Sequence, residues 1–283
     1  MTEKITPIYS GKYEDFNWVG FGSGSGTNLR ECAKVIKPKL IFSDKENAGL
    51  LVLEELANVE KRFLKKEEGE KSIDYNKRIL DLLKRYEKEN DFAIDLIVLG
   101  GYMRLVKEPL LSCFKDKIIN VHPADLSILD FSEFSIPRDS RDHFVKVYQY
   151  NEPRRKYIGD DAVYDAIKAG ETKTRSSVII VDGKPDHGEI LAQGHVLPVD
   201  EEFLRLPVQE RDALLRQYID GTKEKKGHQG RQKEISDWPA LTTVLKMIAE
   251  GRIALGTKKT HYTEWRTVYA DEKAVGYGGF QVK

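Results

Sequence analysis

Cysteine is scarce in this chain of 283 residues: Cys32 and Cys113 are the only two. They stand in no CxxC, which excludes a disulfide-stapled scaffold and a thioredoxin-like dithiol; both are expected to be buried thiols in a reducing compartment. No apolar run reaches the roughly 18 residues of a membrane span, and the segment MTEKITPIYSGKYEDF carries no apolar core with a cleavage site. A soluble, cytoplasmic protein is therefore expected. Charge of one sign is also missing, since Lys plus Arg and Asp plus Glu both number 46. A nucleic-acid or membrane partner would call for a basic excess, so neither is expected. His143, His187, His195, His228 and His261 form no HxxxH, HExxH or Cys/His set, and no metal is expected. Internal repeats and low-complexity segments are absent too.

What is present alternates between short apolar runs and helical spacing. Residues 18–22 read as a strand that enters the Gly/Ser loop Gly22-Ser23-Gly24-Ser25-Gly26-Thr27-Asn28. A helix over 28–36, a strand over 39–43, and helices over 48–59 and 75–90 follow. Residues 60–72 are a charge run read as a solvated insertion. Residues 94–99 form a continuous apolar strand, typical of one buried on both faces, and Gly100-Gly101 ends it. A short helix over 109–114 and a strand over 117–121 come next. The stretch 124–158 is too long for an ordinary connection and is read as an insertion. Then come a helix over 161–169, a strand over 176–181, a last main-sheet strand over 190–199 and a helix over 207–218. A basic, turn-like stretch covers 222–233, an amphipathic helix 238–250, and the final thirty residues suit a β-hairpin. This order predicts an α/β protein with a doubly wound, mostly parallel sheet and a C-terminal β/α extension. The expected division is a tail or edge strand at 1–16, a main domain at 17–252 and an extension at 253–283.

Four stretches carry chemistry. The Gly/Ser loop follows a strand and opens a helix, so its backbone N–H groups can cradle an anion. It lacks the Lys of a P-loop, and Leu29 stands where a dinucleotide fingerprint needs its third Gly, so a phosphate fits better. Gly100-Gly101-Tyr102-Met103-Arg104-Leu105-Val106 lets a flat ligand lie against backbone. In Ile118-Ile119-Asn120-Val121-His122-Pro123, Asn120 and His122 point to one side of a strand tip, because side chains alternate. That pairs an amide donor with a titratable imidazole, and Pro123 ends the strand. The turn Asp182-Gly183-Lys184-Pro185-Asp186-His187-Gly188 offers acids that could orient His122 or shift its pKa.

The order GSGTNL, FSDKENA, VLGGYMRLV, INVHPADL, DHGEILAQ resembles the formyltransferases that use 10-formyltetrahydrofolate, over roughly residues 17–252. Within that family the pattern is most similar to the phosphoribosylglycinamide formyltransferases of purine biosynthesis. The resemblance implies a Rossmann-like fold and 10-formyltetrahydrofolate as co-substrate. It implies Asn120, His122 and Asp186 as catalytic residues, with Ser25, Gly26, Thr27 and Asn28 on the substrate phosphate. It also implies Met103, Arg104, Leu105 and Val106 at the folate and Glu234, before Trp238-Pro239, at the substrate amine. The partner is then a small phosphorylated amine, and the protein a monomer or homodimer.

The implied chemistry has an amine attack the formyl carbon, Asn120 and a protonated His122 stabilise the oxyanion, and Asp186 hold His122 charged or order a proton-carrying water. The chain departs from the family's HPSLLPxxxG at Pro123-Ala124-Asp125-Leu126, has Val178-Ile179 for a Val-His pair, and lacks an Arg around Ser72 to Tyr75. These changes cluster near the amine, so another acceptor, such as an amino sugar nucleotide, and formyltetrahydrofolate hydrolysis stay open beside phosphoribosylglycinamide.

Overall fold

A computed structural model describes residues 3–130, 154–259 and 265–283. Its centre is an eight-stranded sheet. From one edge the strands run Glu60–Phe63, Leu40–Ser43, Trp18–Gly22, Leu96–Leu99 and Ile118–His122, all parallel. Ser177–Ile180 and Ile190–Gln193 continue it antiparallel, and Phe280–Gln281 closes the far edge, parallel to its neighbour.

Alternation along the strands makes two cores, one on each face. Trp18, Ile41, Leu96, Val98, Ile119 and Val121 point into one. Val19, Phe21, Leu40, Phe42, Ile97 and Leu99 point into the other. The helix Ser72–Asn90 covers the second face with Tyr75, Ile79, Leu83 and Tyr86, three or four residues apart along one stripe. The helices Thr27–Val35 and Trp238–Ala249 cover the first. Pro239 suits the first turn of the latter, where its missing N–H costs nothing. A doubly wound, mostly parallel sheet is what the alternation of motifs led us to expect.

Several local expectations need correcting. Residues 48–59 form two 3-10 turns, Gly49–Leu51 and Glu54–Leu56, instead of one helix. Their apolar residues pack under the Gly/Ser loop, which holds the short turns in place. The charge run holds a parallel edge strand, Glu60–Phe63, whose exposed side chains hide its sheet partner from a periodicity argument. The strand expected over 190–199 ends at Gln193, and Leu197–Pro198 pairs separately with Lys173–Thr174. Gly194 marks the break, where a Cβ would stand 2.3 Å from the carbonyl of Ser236. Within 222–233, His228–Gln232 is helical and runs into a π-turn at Lys233–Asp237. Cys113 is exposed, not buried, because it ends the short surface helix Leu110–Cys113; Cys32 is buried, and burial raises its thiol pKa.

Two segments outside the alternating pattern fold onto the sheet. Ile253–Lys259 and Arg266–Ala270 form an antiparallel pair, flanked by Thr6–Pro7 and Lys273–Ala274. In the long stretch after the Asn120 strand, Leu129–Asp130 pairs with Arg154–Arg155 and brings its two ends together. The rest of that expected insertion, 131–153 with His143, lies outside the described residues, as does His261. Among the described residues no helix is long and apolar enough to cross a membrane.

His228 is buried at the start of the short helix His228–Gln232. Its ring meets the Thr174 hydroxyl at 2.7 Å and the Tyr218 hydroxyl at 3.1 Å. Burial first, and Arg231 next, push its pKa down to about 4, against 6.5 for an unhindered imidazole. The unfolded chain therefore takes up this proton first as pH falls. The stabilisation is intact above pH 6.5 and is lost between 6.5 and 4, by on the order of 3 kcal/mol. Thermal melts across that interval should slope less for His228→Gln than for the wild type. Equal slopes would show the ring to be inert.

Candidate active site

The C-terminal ends of the parallel strands open into a cleft of about 490 Å³. This is the position where open α/β sheets keep their ligands. Ser23 to Asn28 follow the first strand, Gly100 to Val106 the central one, and Asn120 to Pro123 the next; Gly183 to Asp186 close the far wall. The stretches singled out in the sequence thus meet in one cavity.

Asn120 and His122 share a side of their strand as expected. Asn120 sits opposite Leu99 on one flank and Ile179 on the other. His122 is 4% exposed. Its Nε2 lies 3.0 Å from the carbonyl oxygen of Tyr157, so Nε2–H donates there. Its Nδ1 lies 3.3 Å from Oδ1 of Asp186. Asp186 adopts φ +47, and its Oδ2 accepts from the Gly159 N–H at 2.9 Å.

Burial lowers the pKa of His122, and Arg155 pushes the same way; Asp186, the Tyr157 carbonyl and Asp237 oppose it. Burial is the largest of these influences, and the net direction is down from the usual imidazole value. A neutral ring with Nε2–H committed to Tyr157 can take a proton at Nδ1, and Asp186 stands ready to stabilise the cation formed.

The Gly/Ser loop lies across the cleft from that pair. Gly26 has φ +73, and a Cβ there would fall 2.3 Å from Cβ of Leu50. Only glycine fits both demands. No side chain caps the helix Thr27–Val35, so the N–H groups of its first turn face the cleft. Ser25, Gly26, Thr27 and Asn28 all line it, as do Lys45 and Lys233. Asn28 is 8% exposed, and its Oδ1 is one of four buried side-chain atoms without a partner among the described residues.

Met103, Arg104, Leu105 and Val106 line the cleft beside the start of the Gly/Ser loop. Met103 and Leu105 are 60% and 52% exposed, an apolar surface beside a flat glycine-bordered floor. Arg104 is otherwise engaged than the sequence implied. Its Nε donates to Oδ2 of buried Asp44 at 2.6 Å, and its guanidinium lies 5.7 Å from the Tyr75 ring centre. Ser23 links the same carboxylate to the Met103 N–H, at 2.6 Å and 3.0 Å. Asp44, in the FSDKENA stretch, therefore fixes the segment after the central strand.

Glu234 is not brought to the cleft. It is exposed and pairs with Lys226 on the outer side. The π-turn Lys233–Asp237 explains this, because about one extra residue per turn rotates the following positions. Gln229, Lys233 and Asp237, four apart, face the cavity instead. Asp237 is buried and accepts from the Ser176 hydroxyl; burial raises its pKa, with Ser176, Lys233, His122 and Asn28 opposing. Sequence reasoning missed Asp237 because the family resemblance pointed to Glu234 and no local pattern marks the π-turn. Among the described residues no cluster of His, Cys, Asp and Glu is placed to hold a metal.

Residues 17–128 match the family model described as Formyl transferase. The match falls where the order of motifs led us to expect a likeness to the formyltransferases. A phosphoribosylglycinamide formyltransferase of Bacillus subtilis is 25% identical over 198 residues, 68% of this chain and 84% of that protein. One of Haemophilus influenzae is 24% identical over 265 residues, 91% of this chain and 95% of that protein. In fold, the chain is similar to a solved phosphoribosylglycinamide formyltransferase from Coxiella burnetii, with a TM-score of 0.63 and 20% identity, covering 95% of this chain and 99% of that one.

Proposed function

We propose that this chain transfers a formyl group from 10-formyltetrahydrofolate to the amine of phosphoribosylglycinamide. The observation that carries the reading is the meeting of Asn120, His122 and Asp186 in one cleft, opposite an uncapped helix N-terminus. The exposed apolar side chains of Met103 and Leu105 suit a flat heteroaromatic donor, which supplies an activated formyl carbon when bound.

The chain's own groups divide the remaining work. Backbone N–H groups of residues 25–28 hold the acceptor's phosphate, with Lys45 and Lys233 on the same wall. The Asn120 amide donates to oxygen where negative charge develops. His122 accepts a proton at Nδ1 and returns it, with Asp186 stabilising the imidazolium in between. Asp237 and the unpartnered Oδ1 of Asn28 supply acceptors for the incoming amine, the role that the family resemblance gave to Glu234.

A second reading, a different phosphorylated amine as acceptor, is favoured by one observation: Gly159 and Asp160, from the end of the long insertion, line the cleft. Purified protein, 10-formyltetrahydrofolate and a panel of phosphorylated amines decide between them, with release of tetrahydrofolate followed optically. Turnover with phosphoribosylglycinamide is expected. In the same assay Asp237→Asn should raise KM for the amine by about tenfold or more, the scale of a lost hydrogen bond to a charged group, while Glu234→Gln leaves it unchanged. No turnover with phosphoribosylglycinamide but turnover with another amine establishes the second reading; none with any amine rejects both.

A further inference from the structure

The loop that carries Asp186 is held from outside by side chains that arrive from two distant segments. Arg155, at the end of the insertion, is 7% exposed. Its Nη1 donates to the carbonyl of Asp186 at 2.6 Å and its Nη2 to the carbonyl of Gly188 at 2.8 Å. Its Nε donates to the Tyr277 hydroxyl at 3.0 Å. The guanidinium lies 4.6 Å from the centre of the Trp265 ring and 5.7 Å from that of Tyr277. The Trp265 indole N–H donates to the carbonyl of His187, between the two that Arg155 holds. Arg266 follows, donating to Glu189 at 2.7 Å and, with two parallel hydrogen bonds, to the Asp116 carboxylate at 2.6 and 2.8 Å. Carbonyls 186, 187 and 188 and the side chain of 189 are thus all taken by these outside groups.

The loop needs that support. Asp186 sits in the left-handed region, which costs a non-glycine residue about 1 kcal/mol or more unless its surroundings impose it. At Gly188 a Cβ would stand 1.9 Å from the carbonyl of Ile180, so the loop is pressed against the sheet. Arg155 also leads directly into the residues that touch the catalytic pair. Two positions on, the Tyr157 carbonyl accepts from His122; two further, the Gly159 N–H donates to Asp186. One short run therefore reaches the imidazole, the carboxylate and the backbone beneath the carboxylate.

We propose that Arg155, resting against both Trp265 and Tyr277, is the positioning residue that sets the His122–Asp186 contact and so the rate of formyl transfer. It touches neither substrate nor reacting atoms in this arrangement, and its action passes through the loop. A guanidinium is required, because only a planar fork reaches two carbonyls and a phenol at once while lying on an indole. Residues 155–159 and the C-terminal segment then act together as a brace for the catalytic loop. The inference on rate rests on the formyl-transfer reading; the brace itself does not.

The test compares wild type, Arg155→Ala and Trp265→Phe by steady-state kinetics and by amide hydrogen exchange over residues 182–189. Arg155→Ala is expected to lower kcat by about tenfold to a hundredfold, the scale of a displacement of roughly 1 Å at a reacting group. KM for donor and acceptor should stay within about twofold, and methylguanidinium should restore part of the lost kcat. Exchange over the loop should speed up. Trp265→Phe keeps an aromatic ring but loses the N–H to His187 and part of the indole surface under Arg155, so a kcat loss of about threefold to tenfold is expected, the scale of one neutral hydrogen bond. Unchanged kcat in these variants, or a loss carried wholly by KM, overturns the inference. If Arg155→Ala does not fold, Trp265→Phe decides alone. If the wild type transfers no formyl group, the functional reading fails, and loop exchange still decides whether the brace exists.

Discussion

Asn120→Ala is expected to lower kcat by about 10²–10³-fold, the usual effect of deleting one donor to a developing oxyanion. The side chain is well placed for that role. It leaves the strand Ile118–His122 at the cleft, flanked by Leu99 and Ile179, so the sheet backbone on both sides fixes its direction. Because such a bond strengthens only as charge grows on oxygen, KM for both substrates should change little. Folding should be unaffected, since the position is half-buried and the replacement smaller. Steady-state kinetics with phosphoribosylglycinamide provide the check, and a kcat within about threefold of wild type removes Asn120 from the mechanism.

His122→Asn is expected to cost about 10²–10⁴ in kcat, the range for a positioned acid–base group. The pH dependence gives a sharper reading. Burial outweighs Asp186 and holds the ring's pKa below 6.5. A base that must be neutral in the free enzyme is lost when it is protonated, so the acid limb of kcat/KM should lie below pH 6.5. Asp186→Asn removes a charge that raises the ring's pKa, and the limb should move to still lower pH. His122→Asn should abolish it. An acid limb at or above about pH 7 would show a cationic ring in the free cleft, contrary to the burial argument.

How legible all this was in the sequence depended on the kind of signal. The strand Leu96–Leu99 could be read because four buried residues in a row have few other uses. Asn120 and His122 could be paired because a strand fixes the direction of alternate side chains. The edge strand Glu60–Phe63 was hidden, since an exposed edge needs no apolar pattern. Asp237 was hidden for a different reason: the π-turn is set by packing of Ser236 and Asp237 against the sheet, through Ser176 and Gly194, and nothing local announces it. Arg155, Trp265 and Tyr277 carried no motif at all, because Arg155 lies 110 and 122 residues before the two rings and the three have meaning only in contact.

By itself the sequence determined the alternation of the central strands and their helices, the α/β class and the residue types at the strand tips, because these follow from local periodicity and from the limits that proline and glycine impose. Tertiary structure alone decided which carboxylate faces the cleft beside Asn28, how deeply the imidazole is buried there, and which distant side chains hold the Asp186 loop. Those properties depend on burial and on contacts between residues far apart in the chain, and no window of neighbouring residues contains them.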